Sequence, residues 1–176
     1  MTSEARSVSA DERLARLEAI EDIKMLKARY FRYLDLHRWD ALRALFTDDA
    51  RFDIAESTSR PGTVEDFIGS VGRHLSTAMS VHHGHMPEIV IEDDEHATGI
   101  WAMYDLVEPG ADAHFPVLTG FGHYTEEYRR VDGRWRIASL RLTRLKRSVD
   151  GTVVDGSEVS APRPFDDPPA LSSAAS

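Results

Sequence analysis

The sequence predicts an α+β domain in which a curved antiparallel sheet packs against helices on one face and wraps a pocket. In three segments of the first 75 residues, apolar side chains recur every three or four positions, which is the period of amphipathic helices. From Ser80 onward the period changes to two, in segments that are long enough for strands. Helices followed by a run of strands is the element order of an α+β domain.

The first helix is predicted to begin at Ala10. Ser9 and Glu12 have the spacing of a capping box, in which the serine accepts from a backbone N–H and the glutamate reaches back to the cap. The apolar spacing continues this helix to about Leu34. Its apolar stripe consists of Leu14, Leu17, Ile20, Ile23, Leu26, Tyr30 and Leu34.

A second, short helix is predicted from Trp39 to Phe46, and residues 51–55 then alternate like a strand. Thr63 is the predicted cap of a third helix, whose apolar spacing runs to Leu75. The pair Asp132-Gly133 suits a tight primed turn between the last two strands. The predicted long strands are residues 88–92, 97–107, 117–131 and 134–147.

The composition excludes several classes of function. Lys and Arg number 21 against 30 Asp and Glu, and the net charge of −9 argues against nucleic acid or an anionic membrane as a partner. Because the chain has no cysteine, disulfides, iron–sulfur clusters, thiolate nucleophiles and Cys-containing zinc sites are excluded. No apolar run approaches the about 18 residues of a membrane span, and the N-terminus lacks the apolar segment of a signal peptide. We expect a cytoplasmic protein.

A single domain is predicted over residues 10–147, after an N-terminal extension at 1–9. Residues 148–176 form a predicted tail rich in proline, serine and acids, with four of the eight prolines and five acids against one base. Such a composition is typical of a flexible terminus. The alternative is that its apolar positions fold back as a lid or onto a neighbouring subunit. Those positions are Val159, Pro162, Pro164 and Phe165.

Three histidines lie close together at the start of the strand region, in Ser80-Val81-His82-His83-Gly84-His85. On an extended chain His83 and His85 point to one face and His82 points to the other. One hypothesis is a metal site with His83, His85 and Asp35 as ligands. A second is a general base, since imidazole titrates near neutral pH and a carboxylate can fix its tautomer. The third is a set of surface or hydrogen-bonded core histidines.

Asp35, at the predicted end of the first helix, is the candidate carboxylate partner. On a helical wheel it lies near Leu17 and Phe31, so it either points inward or is solvated as a terminal residue. Tyr30 and Tyr33 belong to the apolar side of the same helix. Each of them either packs with its hydroxyl at a rim or donates a hydrogen bond to a substrate.

The strands offer further candidates. Arg144 ends an apolar face, where it either binds a carboxylate or leaving anion or lies at a solvated strand end. One of the neighbours His123 and Tyr124 faces inward. Two alternating sets compete for the inside of one strand: Trp101, Met103 and Asp105, or else Ala102, Tyr104 and Leu106.

The sequence contains three characteristic segments, LEAIEDIKMLKARYFRYLDLHRWDALRALFTDDARFD, VHHGHMPEIVIEDDEHATGIWAMYD and GHYTEEYRRVDGRWRIASLRLTRL. Together they resemble a SnoaL-like domain of the nuclear-transport-factor-2-like superfamily, over about residues 10–147. The resemblance implies a cone-shaped α+β fold. In that fold a curved sheet wraps around the N-terminal helices and encloses one apolar pocket.

The branch that the chain most resembles contains scytalone dehydratase, bile-acid dehydratase and hexachlorocyclohexane dehydrochlorinase. In these enzymes a histidine on the sheet takes a proton, an aspartate at the end of the first helix orients it, and no metal is used. The resemblance therefore implies that His83 is the base and Asp35 its partner. It further implies that Tyr30 polarises a carbonyl or protonates a leaving hydroxyl, that Arg144 stabilises charge, and that no cofactor is needed.

The implied function is a lyase or isomerase that removes a proton next to a carbonyl in a small hydrophobic ring substrate, steroid-like or polyketide-like. The alternative is a non-catalytic ligand-binding or assembly module, which the superfamily also contains. A homo-oligomer, dimer or trimer, is expected, because the convex side of the sheet would expose Trp101, Trp135 or their neighbours. The residues expected to contact the substrate are Tyr33, Trp101, Tyr104, His85, His123 and Tyr124.

Overall fold

The computed structural model describes residues 9–54, 62–111 and 114–154, which form three helices and seven strands. The helices are α1 (Ala10–Asp35), α2 (Trp39–Arg43) and α3 (Val64–Leu75). The strands are β1 (Phe46–Ile54), β2 (Gly62–Thr63), β3 (Ala78–Ile91), β4 (His96–Pro109), β5 (Leu118–Val131), β6 (Arg134–Val149) and β7 (Thr152–Val154).

The seven strands belong to one curved, unclosed sheet in the order β2-β1-β6-β5-β4-β3, with β7 also paired to β6. The predicted α+β class is therefore confirmed. The sheet is mixed rather than wholly antiparallel as predicted, because β1 runs parallel to β6. The chain between β1 and β6 includes α3 and three long strands, which gives a parallel pair the long connection that it requires.

The caps of the two longer helices have the geometry that the sequence predicts. The Ser9 hydroxyl accepts from the Glu12 N–H at 3.1 Å, and the Glu12 carboxylate accepts from the Ser9 N–H at 2.7 Å. Thr63 and Asp66 form the same reciprocal pair at the start of α3. The second helix is shorter than predicted, because Phe46 already pairs with β6 as the first residue of β1.

Only the second part of the predicted α1 stripe is buried. Leu14 and Leu17 are 56% and 61% exposed, whereas Ile23 and Leu26 lie in the core. The helix packs against β3 and β6, and α3 packs against β1 and β3. We call the side of the sheet that these helices cover the inner face.

Two bulges in β6 change which residues reach the inner face. Trp135 and Ile137 are buried, and so are Leu140 and Leu142, although strict alternation predicts that the two pairs lie on opposite faces. The register with β5 skips Ala138, so the alternation reverses there and all four side chains reach the core. The register skips a second residue, Leu145, between Arg144 and Lys146.

The two tryptophans predicted for the outer face of the sheet are not exposed there. Trp101 and Trp135 are buried at 5% and 7% exposure, so they are not the apolar groups of a convex surface. Phe121 is 44% exposed and its ring packs against Tyr104, which in turn packs against His83. Self-association stays a prediction.

The ordered sheet continues past the predicted domain boundary at residue 147. β6 extends to Val149, and β7 pairs back onto it, with Val154 opposite Arg147. The remaining residues of the predicted tail, including Val159 and Phe165, lie outside the described residues, as do residues 1–8 of the predicted N-terminal extension. No helix in the described part of the chain is both long and apolar enough to cross a membrane.

Candidate active site

A histidine–aspartate pair joins the end of α1 to β3. Nδ1 of His82 lies 2.7 Å from Oδ1 of Asp35, and the His82 backbone N–H donates to Oδ2 at 3.0 Å. The Ser80 hydroxyl donates to Oδ1 at 2.9 Å. The Asp35 side chain is 22% exposed and that of His82 is 9% exposed, so the inward alternative for Asp35 is the one observed. Because the carboxylate accepts from Nδ1–H, Nε2 of His82 is left as the basic nitrogen.

The structure corrects the choice of histidine. Ser80, His82 and Gly84 alternate onto the inner face of β3, and Gly84 lies directly against the Phe31 ring of α1. His83 therefore points to the outer face, where its ring lies 5.6 Å from that of His85. A one-residue difference in strand position moves a side chain to the opposite face, and the resemblance alone did not fix that position.

A cavity of about 480 Å³ lies next to this pair, between the inner face of the sheet and the helices. Its size is that of a site for a small organic molecule. Apolar side chains from α1, α3 and the strands provide most of the wall. They include Leu34, Ile54, Phe67, Val71, Leu75, Val107, Phe115, Leu118 and Leu142.

Two buried tyrosines, Tyr30 and Tyr124, supply hydroxyl groups to the wall of this cavity. Their ring centroids are 6.1 Å apart in an edge-on arrangement. Burial raises the pKa of Tyr30 well above its ordinary range, and the nearby Tyr124 adds to this effect. Burial also raises the pKa of Tyr124, with the charge of Asp105 as the next cause. Both side chains therefore remain protonated donors near neutral pH.

A buried ion pair lies against the rings of the two tyrosines. Lys27 and Glu126 are both fully buried and in contact, and the Lys27 ammonium lies 3.8 Å from the Tyr124 ring centroid and 4.1 Å from that of Tyr30. Burial lowers the pKa of Lys27, an effect that the Glu126 charge opposes. The Tyr128 hydroxyl donates to Glu126 at 2.5 Å and accepts from the Trp101 indole N–H at 2.8 Å.

We expect Tyr30, Tyr124 and Tyr128 to ionise only when the protein unfolds. Burial raises the pKa of each above the ordinary value of 10.0. The stability contributed by the protonated phenols is therefore full below about pH 10 and is lost as the pH rises further, because the unfolded chain ionises first.

An alkaline titration monitored by phenolate absorbance and circular dichroism together tests this expectation. Three of the five tyrosines should ionise in the same step as the loss of structure. In Tyr124→Phe, the number of tyrosines that ionise together with the loss of structure should fall to two. Ionisation of all five tyrosines in a chain that keeps its circular dichroism would contradict it.

Arg144 reaches the cavity as predicted, but it is paired. Its Nη1 donates to Oδ1 of Asp105 at 2.7 Å, and both residues line the cavity. The guanidinium occupies the space that a side chain at position 120 would fill, which explains why Gly120 stands there. Of the two alternating sets on β4, the one with Trp101, Met103 and Asp105 faces inward.

The other predicted contact residues lie away from the cavity wall. Trp101 is a core residue bonded to Tyr128. Tyr104, His85 and His123 lie on the outer face, where His85 pairs across Ala102 with His123. Tyr33 stacks with Arg32 at the side of α1. Of these six predictions, the structure brings only Tyr124 to the cavity.

The structure separates the side chains of the alternative metal-site hypothesis. His83 and His85 lie on the face opposite to Asp35, so these three side chains do not converge. In the described ranges, no group of three or more His, Asp or Glu side chains is arranged to hold a metal ion.

Among the titratable residues of the cavity wall, sequence reasoning missed Arg73, His74 and Arg147, and it left Asp105 as one of two alternatives. The alternation of Trp101 and Met103 offered a signal for Asp105, because large apolar residues on a half-buried strand mark its inner face. Arg73 and His74 belong to the last turn of α3, a place where basic residues are common for reasons of helix stability alone. The Arg147 side chain reaches the cavity because of the second bulge of β6, and the sequence does not reveal that bulge.

Comparison with solved structures supports the fold. A protein from Novosphingobium aromaticivorans assigned as a scytalone dehydratase superposes with a TM-score of 0.68 at 18% identity, over 76% of this chain and 89% of that one. The hexachlorocyclohexane dehydrochlorinase LinA-type3 from Novosphingobium barchaimii gives a TM-score of 0.66 at 19% identity, over 77% of this chain and 92% of that one. At such identities the similarity shows a shared cone-shaped fold and nothing about activity.

Sequence comparison identifies the family. A probable cyclase, FGR4 of Gibberella zeae, is 27% identical over 143 residues, which are 73% of this chain and 92% of that protein. The family model described as a SnoaL-like domain matches residues 15–141, a range that includes most of α1, the histidine–aspartate pair and most of the sheet. The chain therefore belongs to the SnoaL-like domain family.

Proposed function

We propose that this protein is a cofactor-independent lyase, isomerase or cyclase that removes a proton next to a carbonyl of a small hydrophobic ring substrate. The observation that carries the proposal is the 2.7 Å contact between His82 and Asp35 at the edge of an apolar cavity. His82 replaces His83 as the proposed base. Asp35 keeps the proposed role of fixing the tautomer.

The chemistry begins with Nε2 of His82, which takes a proton from the carbon next to the substrate carbonyl. The C–H bonding electrons move into the carbonyl group and give an enolate, while His82 becomes an imidazolium. The Asp35 carboxylate stabilises that positive charge through Nδ1–H. The enolate then expels a leaving group, is protonated at another carbon or attacks a second carbonyl, which gives a lyase, an isomerase or a cyclase respectively.

Tyr30 and Tyr124 are the proposed donors to the enolate oxygen. Both line the cavity, both remain protonated and a hydrogen bond links them, so the pair offers an O–H where negative charge develops. The negative charge of the enolate is compatible with this environment because Arg144, although paired with Asp105, also lies at the wall.

The relatives favour this class of reaction. Dehydratases and dehydrochlorinases both carry out eliminations in which a proton leaves carbon, and the family relative FGR4 is a probable cyclase. An enzyme of this class needs a base, an orienting carboxylate and an apolar cavity, and the three occur together at the end of α1.

The test is hydrogen–deuterium exchange of acidic ring C–H groups in deuterium oxide, followed by NMR, with cyclic ketones of one to four rings including β-tetralone. Wild-type protein should accelerate exchange of at least one ketone over buffer, and His82→Gln should reduce the rate to that of buffer. His83→Gln is the matched control, because it changes the neighbouring histidine on the outer face. We expect His83→Gln to retain the wild-type rate. Equal losses in the two variants, or ligand binding without exchange, would favour the non-catalytic binding module.

A further inference from the structure

We propose that the cavity contains a carboxylate subsite formed by Arg147, so that the substrate of this protein is a ring compound that carries a carboxylate. That the ligand is a substrate rests on the proposed function. The subsite itself is a binding property and is tested by binding measurements. The subsite determines the chemical class of molecule that the cavity binds.

The second bulge of β6 is what brings Arg147 into the cavity. Arg144 and Arg147 are three positions apart, and in a regular strand two such residues point to opposite faces. The register with β5 pairs Gly122 with Arg144 and Phe121 with Lys146, which leaves Leu145 without a partner position. Both arginines therefore reach the inner face, and both line the cavity.

The two arginines differ in their partners. Arg144 is bound to Asp105 at 2.7 Å, so its charge is largely compensated. Arg147 is half-buried, and within the described ranges its side chain has no hydrogen bond or ion pair. A guanidinium at a cavity wall presents a planar fork of N–H donors, and a planar carboxylate is the group that matches this fork best.

The exposed Arg73 adds a second positive charge, without an acidic neighbour in the described ranges, to the cavity wall. Arg73 and His74 at the end of α3 line the cavity too, and they likewise approach no acidic side chain in the part of the chain described. Asp105 is the one carboxylate among the described lining residues, and Arg144 already neutralises it. In a chain with a net charge of −9, the described lining of this cavity thus contains three arginines against one carboxylate.

The spacing of the strands predicts where the carboxylate lies relative to the reacting carbon. His82 pairs with Asp105, Asp105 with Gly120 and Gly120 with Arg147, so the four residues form one row across the inner face. Three steps of about 4.8 Å place the backbones of His82 and Arg147 about 14 Å apart. With both side chains extended inward, the space between the His82 imidazole and the Arg147 guanidinium suits a compound of two or three fused rings. Its carboxylate would lie at the end remote from the acidic C–H.

The experiment is a binding comparison between aromatic carboxylates and their primary amides, which have nearly the same shape without the charge. The pairs are benzoate with benzamide, naphthoate with naphthamide and anthracene carboxylate with its amide, each titrated by calorimetry into wild-type protein and variants. Wild-type protein should bind at least one carboxylate more tightly than its amide. Arg147→Gln should weaken that carboxylate at least about 10-fold, as expected for a lost charge-assisted hydrogen bond, and change the amide by less than about 2-fold.

Two further variants make the result specific. Lys146→Gln removes the same charge from the next residue, whose side chain lies over Phe121 on the outer face, and should leave both ligands unchanged. Arg147→Lys keeps the charge without the planar fork and should recover part of the preference for the carboxylate over its amide. This recovery tests the subsite in a folded protein even if Arg147→Gln is unstable. No preference for any carboxylate in the wild type, or an equal loss of both ligands in Arg147→Gln, would overturn the proposal.

The outcomes separate the subsite from the proposed chemistry. His82→Gln should keep the carboxylate preference while it loses C–H exchange. Exchange without carboxylate preference would reject the subsite alone, and carboxylate preference without exchange would reject the catalytic proposal alone.

Discussion

Replacement of Asp35 by asparagine is expected to lower the rate of C–H exchange about 10³-fold while the fold remains intact. The reason lies in the hydrogen bonds around the carboxylate. Oδ2 accepts from the His82 backbone N–H, a donor that cannot change its role. Asparagine must therefore place its carbonyl oxygen at that position. Its amide N–H₂ then faces Nδ1 of His82, which has to become an acceptor, so the proton moves to Nε2 and the base is lost.

NMR of the imidazole nitrogens measures this change directly, because the two neutral tautomers give distinct nitrogen shifts. We expect protonated Nδ1 in the wild type and protonated Nε2 in Asp35→Asn. Ser80→Ala is the matched control, because it removes another hydrogen bond to the same carboxylate without changing the tautomer. Its exchange rate should fall far less than that of Asp35→Asn, because Asp35 keeps its hydrogen bonds to both donors of His82. An Asp35→Asn variant that exchanges as fast as Ser80→Ala would contradict the assignment.

The elements of the fold were predictable where a local rule determines them. The capping boxes at Ser9 and Thr63 depend on residues three positions apart, and both are formed. The Asp132-Gly133 turn requires positive φ at both positions, and these residues have φ of 51° and 74°. Long strands with a period of two were equally clear. Periodicity and turn chemistry thus determine the class of fold without tertiary information.

The side chains of the site were less predictable because strand faces and register are tertiary properties. His82 and His83 have the same chemistry, and the strand position that places Gly84 against Phe31 also turns His82 toward Asp35. Each bulge in β6 reverses the alternation, so strict alternation assigns the two buried pairs of that strand to opposite faces. The parallel pairing of β1 with β6 also joins segments far apart in the sequence.

Glu126→Gln is expected to destabilise the protein by about 3–5 kcal/mol, the cost of leaving one partner of a buried ion pair alone. Lys27 and Glu126 are both fully buried, so water does not replace the lost partner. In the variant, no negative charge faces the Lys27 ammonium, whose neighbours are a neutral amide and the faces of nearby aromatic rings, chiefly Tyr30 and Tyr124. These cation–π contacts are already present in the wild-type protein, so they do not compensate for the lost carboxylate. Urea denaturation gives the free energy of unfolding directly.

The double variant Lys27→Met/Glu126→Gln distinguishes a lost ion pair from general damage to the core. With no charge left to bury, the amide oxygen introduced by the Glu126→Gln change can still accept from the Tyr128 hydroxyl, and methionine fills most of the volume of Lys27. The double variant should therefore be more stable than Glu126→Gln alone, so that the two losses are far from additive. Additive losses would mean that each side chain acts through packing. Because the ammonium lies against both tyrosines, a restored fold with slower C–H exchange would further show that the buried charge helps to position the two phenols.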